Sequence, residues 1–565
     1  MDSNDDEVIL FENGSIWQWT DHGSEAKRAN WFTVHNNKFK NIGNGDAPHN
    51  VRKTATKTIN LGGRLVLPGL HDSHIHIYHM GECMQYVDLH GCHSIDELKK
   101  RVAEHAIDHP DSKWILGVGW EQDKLTVNGA YPSRYDLDEV VSDRPIFLSR
   151  ACWHIAVCNT KAMEIAGMNL ERNDLDISNG VVDVDENGVP TGVLREDARN
   201  LVMDHIQESS DAVRLKYLSA GLRQCLQFGL TAVHTNDFNC WKLYQQLQLQ
   251  ANLPIRVYLT PKHCEIGGTD IPPSGTTEDL LSCDRVKLFS DGSLGAETAA
   301  LRLPYRGTDN RGVLMESDEN LLRKILEAEA NGYRVEIHAI GDRAAAQVIN
   351  AIKMAGIKPE RRPILTHCQV LGPDLIESMK QLGIIADIQP SFVVTDTSFA
   401  RKRLDEGVLP YSYCWKRLMN SNIVCAGGSD APIETSNPFQ GIYDAMFRCE
   451  PGAEDCLHIE ERLSFEQALL MYTKNGVFTV MKENELGEIR SGFKADFVVL
   501  HDDVTKDYER LRNDGLVHSV WVDGIERFNA NKDNGTDGVD SGLQFRNSNL
   551  GGKNGRMGFC PCCSR

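Results

Sequence analysis

The sequence predicts an α/β protein organised as a closed (β/α)8 barrel. Three observations carry this. From about residue 214, short apolar strands alternate with helix-patterned stretches, the signature of a parallel sheet covered by helices. Counting RLVLPGL at residues 64–70 as the first, eight such strands can be read before residue 430. Polar residues then interrupt these strands at their C-terminal ends, where active sites of such barrels assemble.

The elements follow in order. EVILF and SIWQW flank Asn13-Gly14 and read as a hairpin. NWFTVHNNKFKNIG repeats the pattern around Asn36-Asn37. LGGRLVLPGLHDSHIHI passes from an apolar strand into a histidine-rich end. LTAVHTND, PIRVYLTP and RVKLFSDG are the next strands. ENLLRKILEAEANG is an amphipathic helix closed by glycine, and YRVEIHAIG is the strand after it. RPILTHCQV, IIADIQPSF and IVCAGGSDAP complete the set. The first strand ends near His76 and the second begins near Leu230, too far apart for a simple crossover. Residues 80–213, with apolar runs SKWILGVGW and RPIFLSRACWHIAVC, are therefore expected to be an insert over the barrel mouth. ADFVVLHDD and HSVWVDGIERF return to strand pattern and are expected to pair with the N-terminal strands. The expected divisions are 1–66 and 486–529 as two parts of a β domain, 67–485 as the barrel, and 530–565 as a disordered Asn/Gly-rich tail.

Composition narrows the function. The 565 residues are 41% hydrophobic and 25% charged, an ordinary globular mix. A net charge of -20 repels phosphate backbones, which argues against nucleic acid as a partner. No run approaches a membrane span. The acidic start lacks the features of a signal peptide, so a cytoplasmic location is expected, with the sequons at Asn13 and Asn534 unused. Most of the sixteen cysteines then read as reduced, buried small hydrophobes. Cys560, Cys562 and Cys563 stand apart and carry no assignment between metal, lipid and incidence.

The chemistry lies at the strand ends. His74 and His76 are at i and i+2 of an extended chain, so both imidazoles face one side, as a divalent metal requires. An isolated pair of this kind is more often two loop histidines. Lys287, His338, His367 and Asp430 shift that balance, because each lies in or at the end of another barrel strand.

These residues and their surroundings resemble the amidohydrolase superfamily. More narrowly, they resemble its family 3 branch, the YtcJ-like proteins that include N-substituted formamide deformylases. LPGLHDSHIHI, VKLFSDGSLGAETAAL, IHAIGDRA, THCQV, GGSDAPIETSNPF, TGVLRE and ELGEIRSGFKADFVVL carry the resemblance, which covers roughly residues 7–528. It implies a distorted barrel, a composite β domain from both termini, and metal-dependent hydrolysis of amide-like bonds. It also implies His74, His76, His338, His367 and Asp430 as ligands. Lys287 matches a lysine that can be N6-carboxylated to bridge two metals. The implied cofactor is one or two divalent ions, zinc first, and two is the expectation because Lys287 offers a bridge, with a mononuclear site as the alternative. Such ions make water nucleophilic near neutral pH, and Asp430 would pass its proton to the leaving amine. His338-Ala339-Ile340-Gly341 lacks the H-x-x-E of purine and cytosine deaminases, which disfavours deamination.

Weaker candidates sit in the insert. His154 follows Trp153, where the family block usually has glycine, so its direction is open between substrate and packing. Trp120 and Glu196 are candidate substrate-binding residues, against core packing and a solvated charge. His79 and His234 lie near strand ends as candidate supports for the ligands. The expected partner is a small-molecule substrate, and a homo-oligomer stays open. The alternatives are a cyclic-amide or ester hydrolase using the same site, or a non-catalytic metal-binding barrel.

Overall fold

The computed structural model describes the chain except residues 1–6, 21–25, 126–128, 151–154, 173–179, 207–209, 269–270, 451, 454–455 and 534–565. One compact unit comprises Met1–Ile77 and Ser219–Thr536. A second spans Tyr78–Leu218, close to the insert expected at 80–213.

Eight parallel strands organise the first unit. They are β1 (Leu70–Ile75), β2 (Leu230–Thr235), β3 (Arg256–Leu259), β4 (Arg285–Phe289), β5 (Arg334–Ala339), β6 (Ile364–His367), β7 (Ile385–Ile388) and β8 (Cys425–Gly427). β1, β2 and β3 belong to one five-stranded sheet, and β4 to β8 form another in sequential order. Two sets of backbone contacts join the sheets. Lys262, beyond β3, bridges to Lys287 of β4, whose N–H donates to Pro261. The Asp430 N–H donates to the His74 carbonyl (2.7 Å) and the His76 N–H to that of Ala431 (3.0 Å), tying the end of β8 to β1.

Helices follow the strands as their spacing predicts. Asp342–Met354 buries Ala344, Ala345, Val348, Ile349 and Ile352 on one face. Pro373–Leu382 starts with proline in its first turn and stops at Gly383, whose φ of 64° suits a residue without Cβ.

The first strand differs from the sequence reading. RLVLPGLHDSHIHI is two strands in two sheets, divided at Gly69. Leu65–Pro68 lies in a six-stranded sheet with Ser15–Trp19, Ala26–Ala29, Phe497–Leu500, Val517–Val522 and Ile525–Asn529. That sheet draws strands from both ends of the chain. Its Phe497 and Trp521 pack with Phe11, Phe32 and Phe39, which come from a four-stranded sheet of Lys38–Gly43, Trp31–His35, Val8–Glu12 and Lys57–Asn60, into one aromatic cluster. The Asn36-Asn37 hairpin forms, with both residues at positive φ. The Asn13-Gly14 hairpin does not. Val8–Glu12 pairs with Trp31–His35 and Lys57–Asn60, while Ser15–Trp19 pairs with Ala26–Ala29 and Leu65–Pro68.

The second unit has its own six-stranded sheet: Gly180–Val184, Pro190–Glu196, Ile155–Cys158, Ile146–Arg150, Ile115–Trp120 and Val87–Asp88, in spatial order. Two apolar clusters flank it. Among the described residues no helix is long and apolar enough to cross a membrane. Among the described residues nine of ten free cysteines are buried, as expected, but Cys449 and Cys456 form a disulfide. Their separation of seven residues carried no signal of it. Ala530–Asp533 is a short helix, and the rest of the expected tail, with its three cysteines, lies outside the described residues.

Candidate metal centre

The centre is assembled at the ends of β1, β5, β6 and β8. β1 is buried along its whole length and delivers His74 and His76 with ring centroids 5.3 Å apart. His367 closes β6 and lies 5.4 Å from His74 and 4.5 Å from His338, centroid to centroid. Asp430 follows β8. Its Oδ1 is 3.1 Å from His76 Nε2 and 3.4 Å from His74 Nε2. Ligand atoms of His74, His367 and Asp430 lie within 4.8 Å of one another. His367 and Asp430 hold φ of 78° and 56°, a backbone region that costs about 1–3 kcal/mol and collects at functional sites.

Each imidazole is aimed by a partner. His76 Nδ1 faces the Asn236 carbonyl at 3.1 Å, and His367 Nδ1 faces Gln389 Oε1 at 2.8 Å. His74 Nδ1 faces Glu336 Oε1 at 2.9 Å. In each ring this turns Nε2 to the shared space, the usual arrangement of a metal-binding histidine. His338 Nε2 faces the Gly292 carbonyl at 3.0 Å and Asp291 at 3.3 Å. The Asp72 carboxylate shapes the loop, accepting the backbone N–H of His74 and of Ser429.

Electrostatics sort these groups. Burial opposes a charge on Asp430, yet hydrogen bonds from His74 and His76 hold its carboxyl well below the usual range. Burial and Lys287 act to lower His74, but Asp430 and Glu336 raise it to about 9. Burial and the neighbouring His338 hold His367 well below the usual imidazole value, so it is neutral and ready to ligate. Lys287 is buried, and its Nζ donates to Glu336 Oε1 (2.9 Å) and Thr366 Oγ1 (3.3 Å).

The donor set suits a divalent cation. It is buried, rich in imidazole and carboxylate, and leaves Glu336 Oε2 and Asp387 Oδ2 without a hydrogen-bond partner. His74, Glu336 and Asp387 form a second group with metal-ligand spacing.

The six expected ligand positions thus fall in one neighbourhood. Of the other candidates among the described residues, His234 belongs to the first unit and Trp120, Glu196 and His79 to the second. Trp120 lies in the core of the second unit, its indole N–H donating to the Leu148 carbonyl at 2.9 Å. Glu196 is exposed at the end of its strand with φ of 48°. His154 lies outside the described residues. His79 belongs to the second unit and pairs with Glu82. His234 is buried against Arg285, not against the ligands. Glu336, Asp387, Asn236 and Gln389 were not anticipated. The signal for Glu336 was present: it sits two residues before His338, on the same strand face.

An α/β scaffold with a histidine–aspartate centre at its strand ends defines a metal-dependent hydrolase. The amidohydrolase family profile matches residues 57–526, and the chain belongs to that family. It is 33% identical to the putative amidohydrolase YtcJ of Bacillus subtilis (strain 168), over 79% of this chain and 86% of that one. It is 23% identical to the N-substituted formamide deformylase of Arthrobacter pascens, over 84% and 90%. An uncharacterized metal-dependent hydrolase from Pyrococcus horikoshii OT3 superposes with a TM-score of 0.75 at 26% identity, over 88% of this chain and 98% of that chain.

Proposed function

We propose that the protein hydrolyses a C–N bond of amide type, with N-formyl or N-acyl amides as the first substrate class. The observation that carries this is the convergence of His74, His367 and Asp430 within 4.8 Å, flanked by His76 and His338. The name of the Arthrobacter relative supports the N-formyl choice. The proposed ion is zinc, held by those imidazoles and Asp430. When bound, it supplies Lewis acidity and makes water nucleophilic at neutral pH.

The chain's own residues do the rest. Asp430, held as a carboxylate, takes the proton of the attacking water and returns it to the leaving amine. Asn236 and Gln389 fix the rings of His76 and His367. Phe392 lies against His367, centroids 6.1 Å apart, and gives the site an apolar wall. The contacts joining β3 to β4 and β8 to β1 support closure of the eight strands into a barrel. The six-stranded sheet supports a composite β domain of residues 1–66 and 486–529. A cytoplasmic location completes the proposal.

Metal analysis of the purified protein tests the centre. One or more equivalents of zinc are expected, with most lost in His74→Ala/His76→Ala. Full retention in that double variant would remove the assignment. The metal-loaded protein is then screened against N-formyl, N-acyl and cyclic amides and esters. Turnover of esters alone would overturn the amide reading.

A further inference from the structure

Three segments meet beside His367, at the strand ends of the first unit. Gln369 lies two residues beyond β6. The helix Phe392–Arg403 follows β7, and its Phe392 ring stacks on His367. Thr395 and Asp396 stand three and four residues after Phe392, so they share that helix face. Glu434 lies four residues beyond Asp430, in the loop after β8.

These side chains are linked. Thr395 Oγ1 donates to Glu434 Oε1 at 2.8 Å. The Tyr413 hydroxyl and Gln369 Nε2 donate to Asp396 Oδ2 at 2.6 and 3.4 Å. Asp396 and Gln369 are only 1% and 2% exposed, yet Asp396 Oδ1 and Gln369 Oε1 have no hydrogen-bond partner among the described residues. Thr395 and Glu434 are half-buried and form the open side of the group.

We propose that Glu434, Asp396 and Gln369 form a specificity pocket beside the metal centre, and that it takes an ammonium group carried on the amine half of the amide substrate. The inference rests on the amide-hydrolase reading proposed above.

Three arguments support it. Both unpartnered atoms are acceptors, so the missing group is a donor, and an ammonium supplies three N–H groups. The acidity is also uncompensated. Burial pushes the Asp396 and Glu434 carboxyls each up to about 8, and Asp396, Asp444 and Asp430 add to the effect at Glu434. Arg403, the guanidinium that acts on Asp396, is taken up by Glu297 at 3.1 Å. A cation in the pocket takes the place of the protons these carboxyls hold. The third argument is direction. Asp430 returns its proton to the leaving amine in the proposed reaction, and Glu434 shares its loop, so the pocket lies on the side of the amine. Phe392 gives the stem of an alkylamine an apolar surface on the way.

The test uses the metal-loaded, full-length protein. Its substrates are the mono-N-formyl and mono-N-acetyl derivatives of ethylenediamine, putrescine and cadaverine, which vary the reach of the ammonium. Each is paired with the alkylamine amide that has methyl in place of ammonium. At the best length the ammonium substrate should have a kcat/KM about 10–100-fold above its methyl partner, with the gain in KM, as charge-assisted hydrogen bonds supply. That ratio should fall toward one in Glu434→Gln and in Asp396→Asn. Glu434→Lys should turn the preference to a matched amide ending in carboxylate, an inversion that a merely structural role would not produce. A ratio near one in wild type at every length, or an unaltered ratio in Glu434→Gln, would overturn the pocket and leave the hydrolase reading standing. Metal-loaded protein that turns over no amide of any kind would overturn that reading and this inference with it.

Discussion

Asp430 shows how one side chain is asked to do two things. In the proposed reaction it offers oxygen to a cation and carries a proton. Asp430→Asn keeps the shape and a carbonyl oxygen but cannot take the proton. Its kcat should fall about 10²–10⁴-fold with the fold intact and metal partly retained. A lowered thermal midpoint with near-normal kcat would reduce Asp430 to a structural role. Asp396 poses a different question. It is buried, accepts the Tyr413 hydroxyl at 2.6 Å, and burial pushes its carboxyl up to about 8, against the lowering effect of Tyr413 and Arg403. The folded state thus holds a proton that the unfolded chain releases near 3.8. The stability this gives is fullest below that value and is lost as pH rises toward 8, at up to about 1.4 kcal/mol per pH unit. Asp396→Asn should lose less midpoint between pH 5 and pH 8 than wild type. Parallel melting curves for the two proteins would show that Asp396 is ionised throughout.

At the scale of elements, the junction of β8 with β1 sets the ligand geometry. A Cβ on Gly428 would stand 2.7 Å from the His74 nitrogen and 3.0 Å from its carbonyl oxygen. Both are backbone atoms, so no side chain can turn aside. Gly428→Ala should lower metal occupancy and thermal midpoint together; an unaltered metal content would show that the junction yields. The strand ends were legible because charged and imidazole groups break apolar runs, as in VEIHAIG and THCQV. Glu336 lies in one of those runs, but a carboxylate inside a strand reads the same in sequence whether it is buried or faces solvent. The break at Gly69 was not legible. Hydrophobicity is continuous from Leu65 to Leu70, and only three-dimensional crowding, with Thr231 Oγ1 at 2.4 Å from a Cβ built there, marks the change of sheet. The Asn13-Gly14 turn misled for a related reason. Its turn chemistry is real, with Asn13 at φ 56°, but the flanking strands find their partners far along the chain.

The whole molecule divides its tasks between two compact units. Eight of the sequence-derived strands and the six ligand positions belong to the first. The sheet of the second unit escaped the sequence reading, since it mixes two parallel pairings, with the helix Ile95–Asp108 after the first strand, with three antiparallel ones, so no single repeat marks its strands. Trp120 holds that unit together and packs edge-on against Tyr131, centroids 5.9 Å apart. Trp120→Ala should destabilise it by about 3–5 kcal/mol while metal content stays at the wild-type value. Limited proteolysis within Tyr78–Leu218, compared with metal analysis of the same sample, measures both. Metal loss in step with cleavage would mean that the two units do not melt separately.

The sheet shared by the two ends of the chain also imposes an order in time. Leu65–Pro68 lies between Ser15–Trp19 and Phe497–Leu500, so on the ribosome it has only one of its two neighbours. The missing strand is made roughly 430 residues later, which at about 5–20 residues per second is on the order of 20–90 s. Throughout that wait an apolar edge is open to any extended segment that passes. Chaperone demand during synthesis follows from this. A chain stopped before Phe497 should collect in the insoluble fraction, whereas supplying the missing segment in trans should recover soluble protein.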